Sequence, residues 1–243
     1  RRSPLRNQGY EYLITDSPDE RGINVALLYQ RHQFKLLDKA EYEIRCTRPN
    51  SRPTRNILHA VGELINGDTL DVIITHLPSR SGGIRETEAA RVESARVLRQ
   101  KTDSILAARS VPRCIIMGDF NNPPDSKVLL TILGASTPEP PYQDHMYYNL
   151  CLHLSGNNEA GTYKYQGRWE VIDQFIVNGG LLKEESNVQV NGLVHIFNAD
   201  FLHEEDPMYY GTKPFRTSTG PRYLGDDILV LLVCVFFPMV PIP

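Results

Sequence analysis

The chain has 243 residues, enough to bury one large core without requiring a second domain. Its 41% apolar and 23% charged residues exclude an intrinsically disordered chain. A net charge of -3 excludes the overall basic surface that grips long polyanions, so any cationic patch is local and small or locally presented ligands are favoured.

The chain opens on Arg1-Arg2-Ser3-Pro4, with no initiator Met and no apolar signal segment. Any signal peptide would lie outside it, and the lean is towards a secreted or periplasmic protein. Residues 24–29, 55–65 and 69–75 read as strands, and Asn66-Gly67-Asp68 between the last two reads as a hairpin turn. From 85 to 109, Ala89, Val92, Ala95, Leu98 and Ile105 recur at helical spacing with charges on the other faces, which predicts an amphipathic helix packed on a sheet. Residues 114–117 form a short buried strand ending at Gly118. Residues 125–133 predict a short helix capped by Asp125 and stopped at Gly134.

After Pro138, Pro140 and Pro141 the chain turns to short β segments at 163–165, 171–177 and 188–197. The apolar run from 228 to 237 is too short to span a bilayer and reads as a buried strand, so no membrane span is expected. Cys46, Cys114, Cys151 and Cys234 are far apart and form no C-x-x-C pair, which argues against a zinc cluster and for buried thiols. There is no repeat, no G-x-G-x-x-G and no phosphate-binding loop. The mixture predicts an α/β fold, two packed sheets with helices outside.

Four polar clusters stand at the ends of apolar runs: Thr75-His76-Leu77-Pro78-Ser79-Arg80, Gly118-Asp119-Phe120-Asn121, Trp169-Glu170-Val171-Ile172-Asp173, and Gly225-Asp226-Asp227. Residues at strand ends are held by the scaffold yet open to ligands. Each cluster also has an ordinary structural reading, as a hydrogen-bonded histidine, a turn before Pro123-Pro124, a local cap or a solvated loop. Together they supply an imidazole, a carboxamide and several carboxylates, a set suited to hard-metal binding and phosphoryl transfer.

Gly118-Asp119-Phe120-Asn121 resembles the G-D-F-N signature of the endonuclease/exonuclease/phosphatase family of DNase I-like phosphoesterases. Thr75-His76-Leu77 resembles its N-H-L motif, Ile172-Asp173 its I-D motif, and the Asp226 region holds the place of its terminal S-D-H. The resemblance runs from about Tyr10 to near the end, and residues 19–29 look like a bacterial branch of the family.

That resemblance implies a four-layered α/β sandwich and a monomeric hydrolase using Mg2+ or Mn2+ on a phosphate ester. Nucleic acid, a phospholipid head group and a sugar phosphate are not distinguished as substrates. Asp119 would orient the attacking water, Asn121 would contact the phosphate, and His76 would donate to a non-bridging oxygen. Asp173 would hold the terminal histidine, Asp226 and Asp227 would lie at the metal, and Arg21, Arg80 and Arg168 would contact phosphate.

Two departures follow from the comparison of motifs. The family's early Asn strand and Glu strand fall before Tyr10, and residues 1–9 supply neither, so the single domain expected over 1–243 is incomplete at its N-terminus and lacks its principal metal ligand. At the other end Asp227 occupies the place of the histidine. A carboxylate there repels Asp173 and the substrate alike; two such charges about 4 Å apart cost about 4 kcal/mol at an effective dielectric near 20. The leading expectation is a divalent-metal-dependent phosphoesterase acting on a phosphodiester or phosphomonoester by metal-assisted water attack, with a nuclease as one candidate among these. The alternative is a degenerate member that binds phosphate compounds or a partner without turnover.

Overall fold

The strongest apolar runs become neighbouring strands of one sheet. A computed structural model describes residues 7–45, 52–157, 159–197, 200, 203–206, 211–214 and 231–238. In chain order the strands are β1 (Tyr10–Ile14), β2 (Ala26–Gln30), β3 (Phe34–Tyr42), β4 (Ile57–Leu64) and β5 (Thr69–His76). Helix α1 (Ile84–Ala107) follows, then β6 (Cys114–Asp119), β7 (Ala135–Ser136), β8 (Tyr147–Asn149), β9 (Tyr163–Tyr165) and β10 (Arg168–Glu170). The last are β11 (Asp173–Asn178), β12 (Val188–Phe197), β13 (His203–Asp206), β14 (Gly211–Pro214) and β15 (Leu231–Pro238).

Seven strands form the central mixed sheet in the order β3-β4-β5-β6-β11-β8-β7. β5 and β6 run parallel with α1 as their crossover, while β11 returns antiparallel to β6. Side-chain alternation then divides the core. Ile57, Ile73, Cys114, Ile116 and Ile176 face α1, where Ala95, Leu98 and Leu106 cover them. Leu58, Ala60, Val72, Ile74, Ile115 and Val177 face the other way, onto Leu13 and Leu27 of the β1–β2 pair and Val188 and Val194 of β12. The α/β class is as expected, with a helix on one face of the sheet and further strands on the other. Full burial of one Leu or Ile in such a layer contributes roughly 1.5–3 kcal/mol.

Several boundaries differ from the sequence reading for physical reasons. The strand expected from residue 55 begins at Ile57, because Arg55 and Asn56 turn into side-chain contacts. β3 was not expected: Lys35, Asp38, Lys39 and Glu41 break its apolar pattern, which suits a strand at the sheet edge. The buried stripe of α1 runs through Arg91, Ser94, Ala95, Leu98, Thr102 and Leu106, while Val92 and Ile105 flank it. The predicted helix over 125–133 is a single π-helical stretch, Val128–Leu133. Ser126 rather than Asp125 receives its first N–H groups, from Leu129 and Leu130, and left-handed Gly134 ends it. The hairpin at 66–68 is as read, with Gly67 at φ 84.

The end of β5 remote from His76 holds a buried polar network. Asp71 accepts hydrogen bonds from Arg109 at 2.8 and 2.7 Å and lies 2.8 Å from His59 Nε2. Tyr42 Oη lies 3.2 Å from the other nitrogen of His59. Burial would raise the Asp71 pKa, but the His59 and Arg109 hydrogen bonds outweigh it and hold the carboxyl below its usual range.

Candidate active site

The ladder itself assembles the site. In the parallel register His76 pairs with Asp119, and in the antiparallel register Asp119 pairs with Asp173. Three polar residues from three distant stretches therefore stand side by side on adjacent strands. Their backbones are held on both sides. Leu77 N–H donates to the Asp119 carbonyl at 2.9 Å, Phe120 N–H to that of Ile172 at 2.9 Å, and Asp173 N–H to Thr162 Oγ1 at 3.2 Å.

Gly118 makes the close pairing possible. Its φ is 134°, and a Cβ placed there would lie 2.0 Å from the Thr75 carbonyl oxygen. A side chain at this position would push β5 and β6 apart just before their functional ends.

The Asp119 carboxylate is oriented by donors. Asn121 donates its backbone N–H to Oδ1 at 2.7 Å and its carboxamide Nδ2–H to Oδ2 at 3.2 Å. His76 Nε2 approaches Oδ2 at 3.3 Å. A carboxylate only accepts, so Nε2 carries the proton in this contact. Asn121 holds the left-handed conformation, φ 49°, which a short polar side chain tolerates when it bonds its own backbone neighbourhood.

A second layer of charge lies behind these groups. Arg55 and Arg21 both reach Asp19 Oδ2, at 3.2 and 3.3 Å. Burial would raise the Asp19 pKa, yet the hydrogen bonds from Arg21 and Arg55 lower it. Arg55 also donates to the Leu77 carbonyl at 2.7 Å. Burial, with Arg55 and Arg21 beside it, pushes His76 down to about 3, so the imidazole is neutral at ordinary pH and acts as a neutral donor.

The structure brings His76, Asp119, Asn121 and Asp173 together. Arg21 joins them through Asp19, with half of its side chain open to solvent. Arg80 pairs with Glu170 and lies over the Tyr163 ring, 5.7 Å from its centroid, so it borders the site through the β9–β10 hairpin. Arg168 is exposed on β10, where it pairs with Tyr165 across the β9–β10 hairpin. Asp226 and Asp227 lie outside the described residues. Sequence reasoning missed Arg55 and Asp19. Arg55 carried no local signal, because its partners Asp19 and Leu77 lie 36 and 22 residues away in the chain.

A metal ion is what the motifs imply. Among the described residues, no three His, Cys, Asp or Glu side chains are grouped to hold one. The described residues place positioned donors around the Asp119 carboxylate, with Asp173 as its register partner.

Fold and site together define an α/β protein with a cluster of polar residues at the ends of adjacent sheet strands. The model of the endonuclease/exonuclease/phosphatase family matches residues 1–235, and the chain belongs to that family. No match is found among curated proteins. Among solved structures, the human Nocturnin catalytic domain with bound sulfate superposes with a TM-score of 0.53 at 18% identity, covering 76% of this chain and 64% of that one. TDP2 of D. rerio, complexed with single-strand DNA product, gives 0.54 at 17% identity, covering 80% and 71%. ANGEL2, a 2',3'-cyclic phosphatase in complex with adenosine-2',3'-vanadate, gives 0.55 at 12% identity, covering 76% and 66%. At these identities the likeness is one of fold. The chain spans just under two thirds of the Nocturnin domain.

Proposed function

We propose that the protein is a divalent-metal-dependent phosphoesterase that cleaves phosphodiester or phosphomonoester bonds by water attack at phosphorus. The observation that carries this reading is the convergence of His76, Asn121 and Asp173 on Asp119. A carboxylate fixed by the two Asn121 donors can accept a proton from a water and aim it at a phosphate seated beside it. His76 Nε2–H, in a long contact to Asp119, can be shared with a non-bridging oxygen of that phosphate. Arg55 and Arg21 supply positive charge behind the site.

Metal dependence rests on family membership. A bound divalent ion would polarise the phosphoryl group and stabilise the leaving oxygen. Sulfate, a DNA product and an adenosine vanadate in the related structures support a phosphate-like ligand and leave nucleic acid, lipid head group and sugar phosphate as candidates.

The test is hydrolysis of bis(p-nitrophenyl) phosphate by the full chain with Mg2+ or Mn2+. Activity abolished by EDTA, restored by metal and lost in both Asp119→Asn and His76→Gln supports the reading; equal turnover in wild type and both variants ends it. A second reading, a non-hydrolytic phosphate binder, is favoured by Asp227 standing where the family motif has histidine. Phosphate binding without turnover, converted to turnover by Asp227→His, would select it.

A further inference from the structure

Arg55 is almost fully buried, with 2% of its side chain open to solvent, and its Nε has no hydrogen-bond partner among the described residues. A buried cation with an unsatisfied donor is costly, and a neutral residue would avoid that cost. Its two other nitrogens show what the position requires. Nη1 reaches Asp19 at 3.2 Å and Nη2 donates to the Leu77 carbonyl at 2.7 Å.

The Leu77 carbonyl has a second donor, Asn121 Nδ2 at 3.1 Å. The same Nδ2 also reaches Asp119 Oδ2 at 3.2 Å. Leu77 N–H is in turn bonded to the Asp119 backbone carbonyl at 2.9 Å. Arg55, Leu77, Asn121 and Asp119 thus form one closed chain of contacts, with Arg55 as its outer anchor.

We propose that Arg55 is a positioning residue of the phosphate-ester site, holding the Leu77 carbonyl against which the Asn121 carboxamide is set and so fixing the Asp119 carboxylate. The proposal rests on the phosphoesterase reading for its kinetic arm, and it acts through Asn121 with no contact to substrate. Its charge supports the same role. Burial lowers the Arg55 pKa, while Asp19 first and then Asp119 favour the charged form, so the guanidinium offsets the negative carboxylates it orders.

The experiment compares the wild-type chain with Arg55→Met and Arg55→Lys, each alone and on the Asn121→Ala background, in bis(p-nitrophenyl) phosphate hydrolysis. Arg55→Met should lower kcat about 100-fold and leave KM within about 3-fold, the signature of a misplaced catalytic group. Arg55→Lys, which keeps an N–H donor and the charge, should recover about 10-fold of that loss. On Asn121→Ala the Met substitution should cost less than about 3-fold further, because its route of action is already gone. A folded Arg55→Met with wild-type kcat, or full additivity on Asn121→Ala, overturns the proposal. Where Arg55→Met gives no cooperative melt, Arg55→Gln takes its place with an expected loss of about 10-fold, and an unchanged kcat in it is equally fatal.

An arm independent of turnover is amide hydrogen exchange of Asn121, whose N–H donates to Asp119. Arg55→Met or Arg55→Gln should speed that exchange about 10-fold relative to the Ile116 amide in the sheet. Unchanged Asn121 protection overturns the positioning role even if the kinetics are disturbed. Faster exchange in a chain whose wild type hydrolyses nothing supports the positioning and counts against the phosphoesterase reading alone.

Discussion

His76 and Asp119 are register partners at the ends of two parallel strands, with Nε2 3.3 Å from Oδ2. The pair is set by the β-ladder itself, so its geometry is as rigid as the sheet. A substitution that preserves shape while removing the negative charge isolates its chemistry. Asp119→Asn should lower kcat for bis(p-nitrophenyl) phosphate by about 10²–10⁴-fold, the usual worth of a general base, with an unchanged thermal melt. A change below tenfold would remove Asp119 from the reaction.

The neutral state of His76 gives a pH prediction. Its folded pKa of about 3 lies below the ordinary value of 6.5. Above 6.5 the imidazole is neutral in both states and contributes no pH dependence; as pH falls towards 3 the unfolded chain takes up the proton first, and stability falls. His76→Gln should therefore flatten part of the acid arm of the melting curve between about pH 6.5 and 4. With 27% of the side chain open to water, the effect is on the order of 1 kcal/mol. A wild-type and variant pair with parallel acid arms in thermal melts would show that His76 titrates normally.

Gly118→Ala should destabilise the chain far more than an ordinary strand substitution. The new methyl would meet the Thr75 carbonyl, in a backbone region that disfavours any side chain. A loss of about 2–4 kcal/mol in urea unfolding is expected, accompanied by loss of activity, because the strain falls between His76 and Asp119.

Arg80 is held by Glu170 and the Tyr163 ring at the border of the site. Arg80→Ala should raise KM about 10-fold while leaving kcat within about 3-fold, the pattern of a group that binds charge without taking part in bond-breaking. Equal KM in wild type and variant would assign Arg80 to the hairpin alone.

The Asp71 network at the opposite end of β5 should matter for stability. Asp71→Ala leaves Arg109 and His59 facing a vacated buried position, and a loss of about 3–5 kcal/mol is expected in urea unfolding. The surviving folded fraction should keep its kcat.

Much of the architecture was legible because its signals are local. The apolar runs behind His76 and Asp119 gave β5 and β6, Asn66-Gly67-Asp68 gave their hairpin neighbour, and the helical period gave α1. The motifs also gave His76, Asp119, Asn121 and Asp173, since each sits at the end of a strand whose pattern is plain. What escaped depends on partners far away in sequence. Arg55 owes its role to Leu77 and Asp19, 22 and 36 residues distant, and no window around it carries that information. β3 escaped because edge strands are selected to be charged. Arg80 was read as a phosphate contact from its residue type; its observed partner Glu170 lies 90 residues on.

The parallel run of β5 and β6 has a consequence for how such a protein diversifies. Both strands deliver the chain to the same rim, so the segments that leave them, 77–83 and 120–127, start side by side there. Those segments can lengthen, shorten or change character while the paired imidazole and carboxylate stay pinned beneath them. The sheet thus fixes where His76 and Asp119 stand, while the two departing segments are free to change around them.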